Sequence, residues 1–260
     1  MARLLRSRPF PGRDDVVSTT QSPVFADLAA TALERARQDN AEAVTAAAAQ
    51  IVRTIRADAL IFTAGAGHSL AAVAETFYRA GGLANVYPLY HEELLPLHGA
   101  QRSTKAERRS GLAAEVLSAK APGPDDLLVV FSTSGVNPYP VELAMAAREA
   151  GAPVIAVSSR ASVEAAPRRS ASTLVEQGTI VLDTGIRPGD ASYPAENPVT
   201  GPLSTVVNAF LWSQVLTAVL EQAAAEGVEV PLWRSSNVDG GDAANAALFE
   251  RYQPRVPMLG

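Results

Sequence analysis

The chain has 260 residues, a net charge of −5, and a composition 47% hydrophobic and 19% charged; this is globular, with enough apolar side chain for a sizeable core. An acidic balance argues against a nucleic-acid partner, whose phosphate backbone is met by a basic surface. The absence of cysteine excludes a disulfide framework and a thiolate-held metal, and no stretch approaches the ~20 apolar residues that span a bilayer.

Residues 1–22 begin MARLLRSRPFPGRDD, which has the basic residues of a signal peptide but no apolar region behind them. They read as a flexible tail, and the cytoplasm is the expected compartment. Residues 23–58 form an Ala-, Leu-, Glu- and Arg-rich stretch that no Gly or Pro interrupts after Pro23. It predicts one long helix or two abutting ones.

An alternation of strands and helices occupies residues 59–227. ALIFTA (59–64), NVYPLY (85–90), DLLVVFS (126–132), PVIAVSS (153–159) and TIVLD (179–183) are short apolar runs. Helices are expected at 69–80, at 104–120 from a Thr104/Glu107 capping box, at 138–150 and at 204–226. Short, fully apolar strands separated by helices predict a doubly wound α/β sandwich around a five-stranded parallel sheet. Residues 228–260 read as a polar, Gly-rich wrapping tail with a short helix. Its Asp239-Gly240-Gly241 run is turn chemistry.

Ligands of open parallel sheets bind beyond the carboxyl ends of the strands. Two strand ends carry small residues, hydroxyls and a helix start: Gly65-Ala66-Gly67-His68-Ser69, and Ser132-Thr133-Ser134-Gly135-Val136-Asn137. Small residues admit a ligand close to the backbone, and helix N-termini offer free N–H groups to an anion. The bland alternative makes Ser69 and Asn137 plain N-caps. A dinucleotide site does not fit, because Leu70 stands where Gly or Ala is needed and no acidic residue ends the next strand. No cofactor is called for. His91-Glu92 lacks the second His of a zinc helix, since residue 95 is Leu, and no metal site is expected.

GAGHS after a first strand, STSG after a later one, and Ser204-Thr205 opening the last helix resemble the sugar isomerase (SIS) domain family over roughly residues 40–225. The segments GAGHS…FYRAGGL and NVDGGDAAN resemble a subgroup near phosphoheptose isomerases and N-acetylmuramic acid 6-phosphate etherases. One departure stands out: the family's S-x-S-G-x-T pattern has Asn137 in place of Thr. The resemblance implies a flavodoxin-like sandwich and a homodimer with shared sites. It also implies a sugar phosphate held by Ser69, Ser132 and Ser134, with Gly65, Gly67, Thr133 and Ser204 around it and His68 and Asn137 near the sugar.

Such enzymes take a proton next to a carbonyl and so need a base and an acid. Glu75 is the first candidate base, although an ion pair with Arg79 would occupy both residues. Arg79 is itself a candidate anion contact. Glu107 and His98 are candidates for the acid. By analogy with the etherases, the expected activity is a hydro-lyase acting on N-acetylglucosamine 6-phosphate. An aldose–ketose isomerase is the alternative, and a non-catalytic sugar-phosphate sensor the third.

Overall fold

Each of the five apolar runs becomes a strand of one parallel sheet: β1 (Ile61–Gly65), β2 (Val86–Leu89), β3 (Leu127–Phe131), β4 (Val154–Ser158) and β5 (Ile180–Asp183). The computed structural model describes residues 24–260, so the tail expected over 1–22 lies outside the described residues. The sheet order is β2-β1-β3-β4-β5. Strands β1 and β3 therefore lie side by side at the centre, with Ile61 opposite Leu127 and Gly65 opposite Phe131. The chain runs outward from β1 in one direction and from β3 in the other. This is a topological switch point, where helices on opposite faces leave a crevice above the sheet. Every residue of β1, β2, β3 and β4 is buried, which explains why the strands read as continuous apolar runs.

The N-terminal stretch forms two helices, α1 (Val24–Asp39) and α2 (Ala41–Arg56). Asn40 at their junction is 1% exposed. Its amide donates to the carbonyls of Ala36 and Asp183, and its Oδ1 accepts the Asp183 N–H at 2.7 Å. The break is fixed by that side chain pinning the junction to β5.

The helix expected over 69–80 is shorter: α3 spans Leu70–Thr76. Phe77 turns extended and Tyr78 takes φ +40. The cause lies far along the chain. Tyr78 packs edge-on against Trp233 and tilted on Phe249, while Gly81, Gly82 and Ala84 exchange backbone hydrogen bonds with residues 231–233.

The helix expected over 104–120 is two helices, α4 (Ala100–Glu107) and α5 (Leu112–Leu117), separated at Gly111 with φ +88. Its capping box does not form. Thr104 sits inside α4 and donates to the Ala100 carbonyl, four residues back. A capping box does form between Thr173 and Glu176.

The remaining helices are α6 (Pro138–Glu149), the short α7 (Arg160–Ala165) and α8 (Leu174–Gln177), the 23-residue α9 (Ser204–Glu226), and α10 (Gly241–Tyr252). Helix α9 packs against α2, α1 and α3. No helix among the described residues is long and apolar enough to cross a membrane.

Candidate functional site

The first turn leaves β1 at Gly65. A Cβ there would meet the Ser69 carbonyl oxygen at 2.9 Å, so only glycine lets residues 66–69 fold back over the strand end. Gly67 takes φ +58 and opens a single 3-10 turn, Gly67–Ser69, which leads into α3. Ser69 makes no capping hydrogen bond with its side chain. The plain N-cap explanation is thus absent, and the hydroxyl is available to a ligand.

The second turn leaves β3 one strand away. Gly135 also takes φ +58, and a Cβ on it would collide with Ser158 Oγ and Val163 Cγ2, each at 2.8 Å. The Ser132 hydroxyl accepts the Gly135 N–H at 3.2 Å, which curls the turn. Pro138 occupies the first turn of α6, and Asn137 before it makes no capping hydrogen bond.

Helix α4 delivers Glu107 at its last position. Ser103 donates to the Leu94 carbonyl at 2.7 Å and fixes the helix on the preceding loop. Burial pushes the Glu107 carboxyl above its ordinary range, while the Asn137 side chain and the Arg108 and Arg169 guanidinium groups pull the other way.

The loop after β5 supplies the fourth wall. The Ser159 and Ser162 hydroxyls both donate to the Ile186 carbonyl, at 2.6 and 2.9 Å, and hold that loop over the sheet. Asp190 follows at φ +57. Its Oδ1 accepts the N–H groups of Leu203 and Ser204, and its Oδ2 accepts the Ser204 hydroxyl. A carboxylate at the N-terminus of α9 satisfies orphan donors and complements the helix dipole.

These four pieces enclose one cleft of about 410 Å³. The first turn contributes Ala66 to Ser69, and the second contributes Ser132, Thr133, Ser134 and Asn137. Glu107, Ser162, Asp190 and Ser204 complete the polar lining, and Ala165, Ala166 and Pro188 form an apolar side. A hollow of about 450 Å³ beside it, between α1 and the loop after β5, shares Asp190 but is reached by neither serine turn.

The SIS domain model matches residues 24–159, just over half of the chain. The chain belongs to the SIS domain family. Among its relatives are UPF0309 proteins. One from Listeria monocytogenes serotype 4b is 35% identical over 240 residues, covering 91% of this chain and 97% of the relative. Another, from Streptomyces coelicolor, is 38% identical over 238 residues, covering 89% and 95%. The phosphoheptose isomerase of Neisseria gonorrhoeae is similar in fold. It superposes with a TM-score of 0.50 at 18% identity, over 75% of this chain and 95% of that one.

In this SIS domain most residues singled out from the sequence meet in the cleft. Gly67, His68, Ser69, Glu107, Ser132, Thr133, Ser134, Asn137 and Ser204 line it, and Gly65 shapes the turn from beneath. Three lie elsewhere. The Glu75 carboxylate, near the end of α3, is ion-paired with Arg79 beyond that helix, and neither residue lines the cleft. His98 is exposed at the foot of α4. Ser204 is present, but its hydroxyl already donates to Asp190 at 2.6 Å, so it supports the wall and is not a free donor. Asp190 itself was missed. No motif surrounds it, and only its place in the run Arg187-Pro188-Gly189-Asp190 hinted at a turn.

Proposed function

We propose that the cleft binds an amino-sugar 6-phosphate and removes water from it, with N-acetylglucosamine 6-phosphate as the substrate. The observation behind this reading is that both serine turns open into the same cleft as the half-buried Glu107 carboxylate. Backbone N–H groups and the hydroxyls of Ser69, Ser132, Thr133 and Ser134 suit a phosphate dianion, as does the N-terminal end of α6. The expected role of Glu75 as base passes to Glu107, because Glu75 lies outside the cleft.

In the open-chain aldehyde, Glu107 takes the proton from C2. A carboxyl whose pKa is raised by burial is a stronger base than a solvated one. The resulting enolate expels the C3 hydroxyl, which leaves as water with a proton from His68. The products are water and a 2,3-unsaturated aldehyde that keeps its phosphate and acetamido groups. Ala165, Ala166 and Pro188 offer an apolar surface to the acetyl methyl. Nitrogen at C2 impedes the aldose–ketose route, so elimination is the outcome that suits such a substrate.

The test is incubation with N-acetylglucosamine 6-phosphate while ultraviolet absorbance is followed. A new conjugated chromophore, lost in Glu107→Gln, is expected. A ketose phosphate without that chromophore would replace elimination by isomerisation. Tight binding with no product would make the protein a sensor.

A further inference from the structure

The hollow beside the cleft, between α1 and the loop after β5, has a volume of about 450 Å³. The strip Arg187-Pro188-Gly189-Asp190 divides the two spaces. Pro188 and Gly189 line the cleft, Arg187 lines the hollow, and Asp190 lines both. Each wall of the hollow is held in place. Asn40 fastens the end of α1 to Asp183, and the Ser159 and Ser162 hydroxyls hold the Ile186 carbonyl. A cavity of this size with fixed walls suits a small molecule, whose sites run to about 300–1,000 Å³ and are largely formed in advance.

Its chemistry differs from that of the cleft. Leu28 and Ala32 of α1, with Ile186 and Leu203 from the other wall, give it an apolar part. Two cations also line it, Arg35 from α1 and Arg187 from the dividing strip. Among the described residues neither is ion-paired. Glu34, next to Arg35, is taken by Arg37, and Arg187 donates to the Ala195 carbonyl. Three carboxylates line the hollow as well, and two of them are committed. Asp183 accepts the N–H groups of Arg160 and Gly185, and Asp190 accepts those of Leu203 and Ser204. Only Asp39 is left to balance the two guanidinium groups. Thr184 is 3% exposed and lines the same hollow, and its hydroxyl has no hydrogen-bond partner among the described residues. Buried hydroxyls are nearly always paired in native proteins, so one left alone at a cavity wall points to an occupant.

We propose that this hollow is a second binding site, separate from the cleft, for a small organic anion. Arg35 and Arg187 take the charged end, and the aliphatic side chains of Leu28, Ile186 and Leu203 take an apolar carbon body. A guanidinium fork pairs with a carboxylate or a phosphate ester, so the anionic end is of either kind. The apolar lining sets the ligand apart from an inorganic ion, which would gain nothing from it, and from an unsubstituted sugar, whose hydroxyls would lose their water against it. The site does not depend on the elimination proposed for the cleft.

Calorimetric titration of the full chain with n-butyl phosphate, and separately with inorganic phosphate, tests this. Binding of n-butyl phosphate is expected to survive in Ser134→Ala, which alters the cleft. It is expected to weaken about 10-fold or more in the double variant Arg35→Gln/Arg187→Gln, in line with the loss of charge-assisted hydrogen bonds. Both arginines are exposed and outside any ion pair among the described residues, so the double variant should keep the parent's unfolding midpoint. Inorganic phosphate is expected to bind the hollow about 10-fold more weakly than the butyl ester, a difference equal to burying roughly two methylenes. Three results would overturn the proposal. One is no binding of n-butyl phosphate to the parent. Another is binding lost in Ser134→Ala but kept in the arginine variant, which would place the anion in the cleft. The third is equal affinity for the two probes, which would leave only surface charge. None of these readings needs turnover or N-acetylglucosamine 6-phosphate, so a failure here and a failure of the proposed reaction are told apart.

Discussion

Asp190 and Ser204 are joined twice. The carboxylate accepts the Ser204 N–H at 2.9 Å through Oδ1 and the Ser204 hydroxyl at 2.6 Å through Oδ2. This contact closes the loop after β5 onto the start of α9 and makes one wall of the cleft. Asp190→Ala removes the cap and leaves an alanine in a left-handed conformation. The expected loss is about 1–3 kcal/mol, read as a lower midpoint in urea. Asp190→Asn keeps an acceptor and tolerates positive φ, so it is expected to lose less than half as much. Equal losses in the two variants would remove the capping role.

Ser134 lies in the mouth of the cleft without the internal hydrogen bond that Ser132 makes to Gly135. Ser134→Ala is expected to weaken sugar-phosphate binding by about 10- to 100-fold, the size of one hydrogen bond to a charged group. Calorimetric titration with N-acetylglucosamine 6-phosphate gives the ratio. Thermal stability should stay within ~0.5 kcal/mol of the parent. Unchanged affinity would take the second turn out of the binding site.

Burial raises the Glu107 carboxyl above its ordinary range. The native state therefore holds that proton more tightly than the unfolded chain does, and ionising the group costs native stability as pH rises. Glu107→Gln removes this cost. The variant is expected to be more stable than the parent at pH 7. That advantage should shrink as pH falls below the raised range, where the parent is also neutral. Urea denaturation of both proteins at pH 4 and pH 7 gives the comparison. The same variant should bind a sugar phosphate without turning it over.

The two left-handed glycines of the serine turns separate strain from packing. A Cβ on Gly67 meets nothing within 4 Å, whereas one on Gly135 meets Ser158 Oγ and Val163 Cγ2 at 2.8 Å. Gly67→Ala carries only the left-handed penalty, about 1–2 kcal/mol. Gly135→Ala adds overpacking of ~1–3 kcal/mol. Denaturation midpoints of the two variants should rank accordingly, and the reverse order would contradict this geometry.

Burial on both faces leaves a strand readable as an unbroken apolar run. For that reason β1 to β5 fall within a residue or two of ALIFTA, NVYPLY, DLLVVFS, PVIAVSS and TIVLD. The two serine turns were legible as turns for a related reason: glycine at a strand end is a local requirement, fixed by φ and by close approach. Helix α9 was bounded correctly at Ser204 and at Gly227, whose φ of +65 ends it. What failed was decided by distant partners. Tyr78 leaves its helix because Trp233 and Phe249 lie beside it, which no window around residue 78 contains. In sequence Glu75 was the first candidate base and Glu107 a candidate acid. Only the packing of α3 and α4 turned the first outward to Arg79 and the second into the cleft. Asp190 is an ordinary loop aspartate until the chain returns with Ser204. The sequence by itself determined the strands, their alternation with helices, and the two turns, because backbone conformation and apolar periodicity are short-range properties. Which carboxylates line the cleft was decided by tertiary structure alone, because burial and hydrogen-bond partners depend on residues remote in the chain.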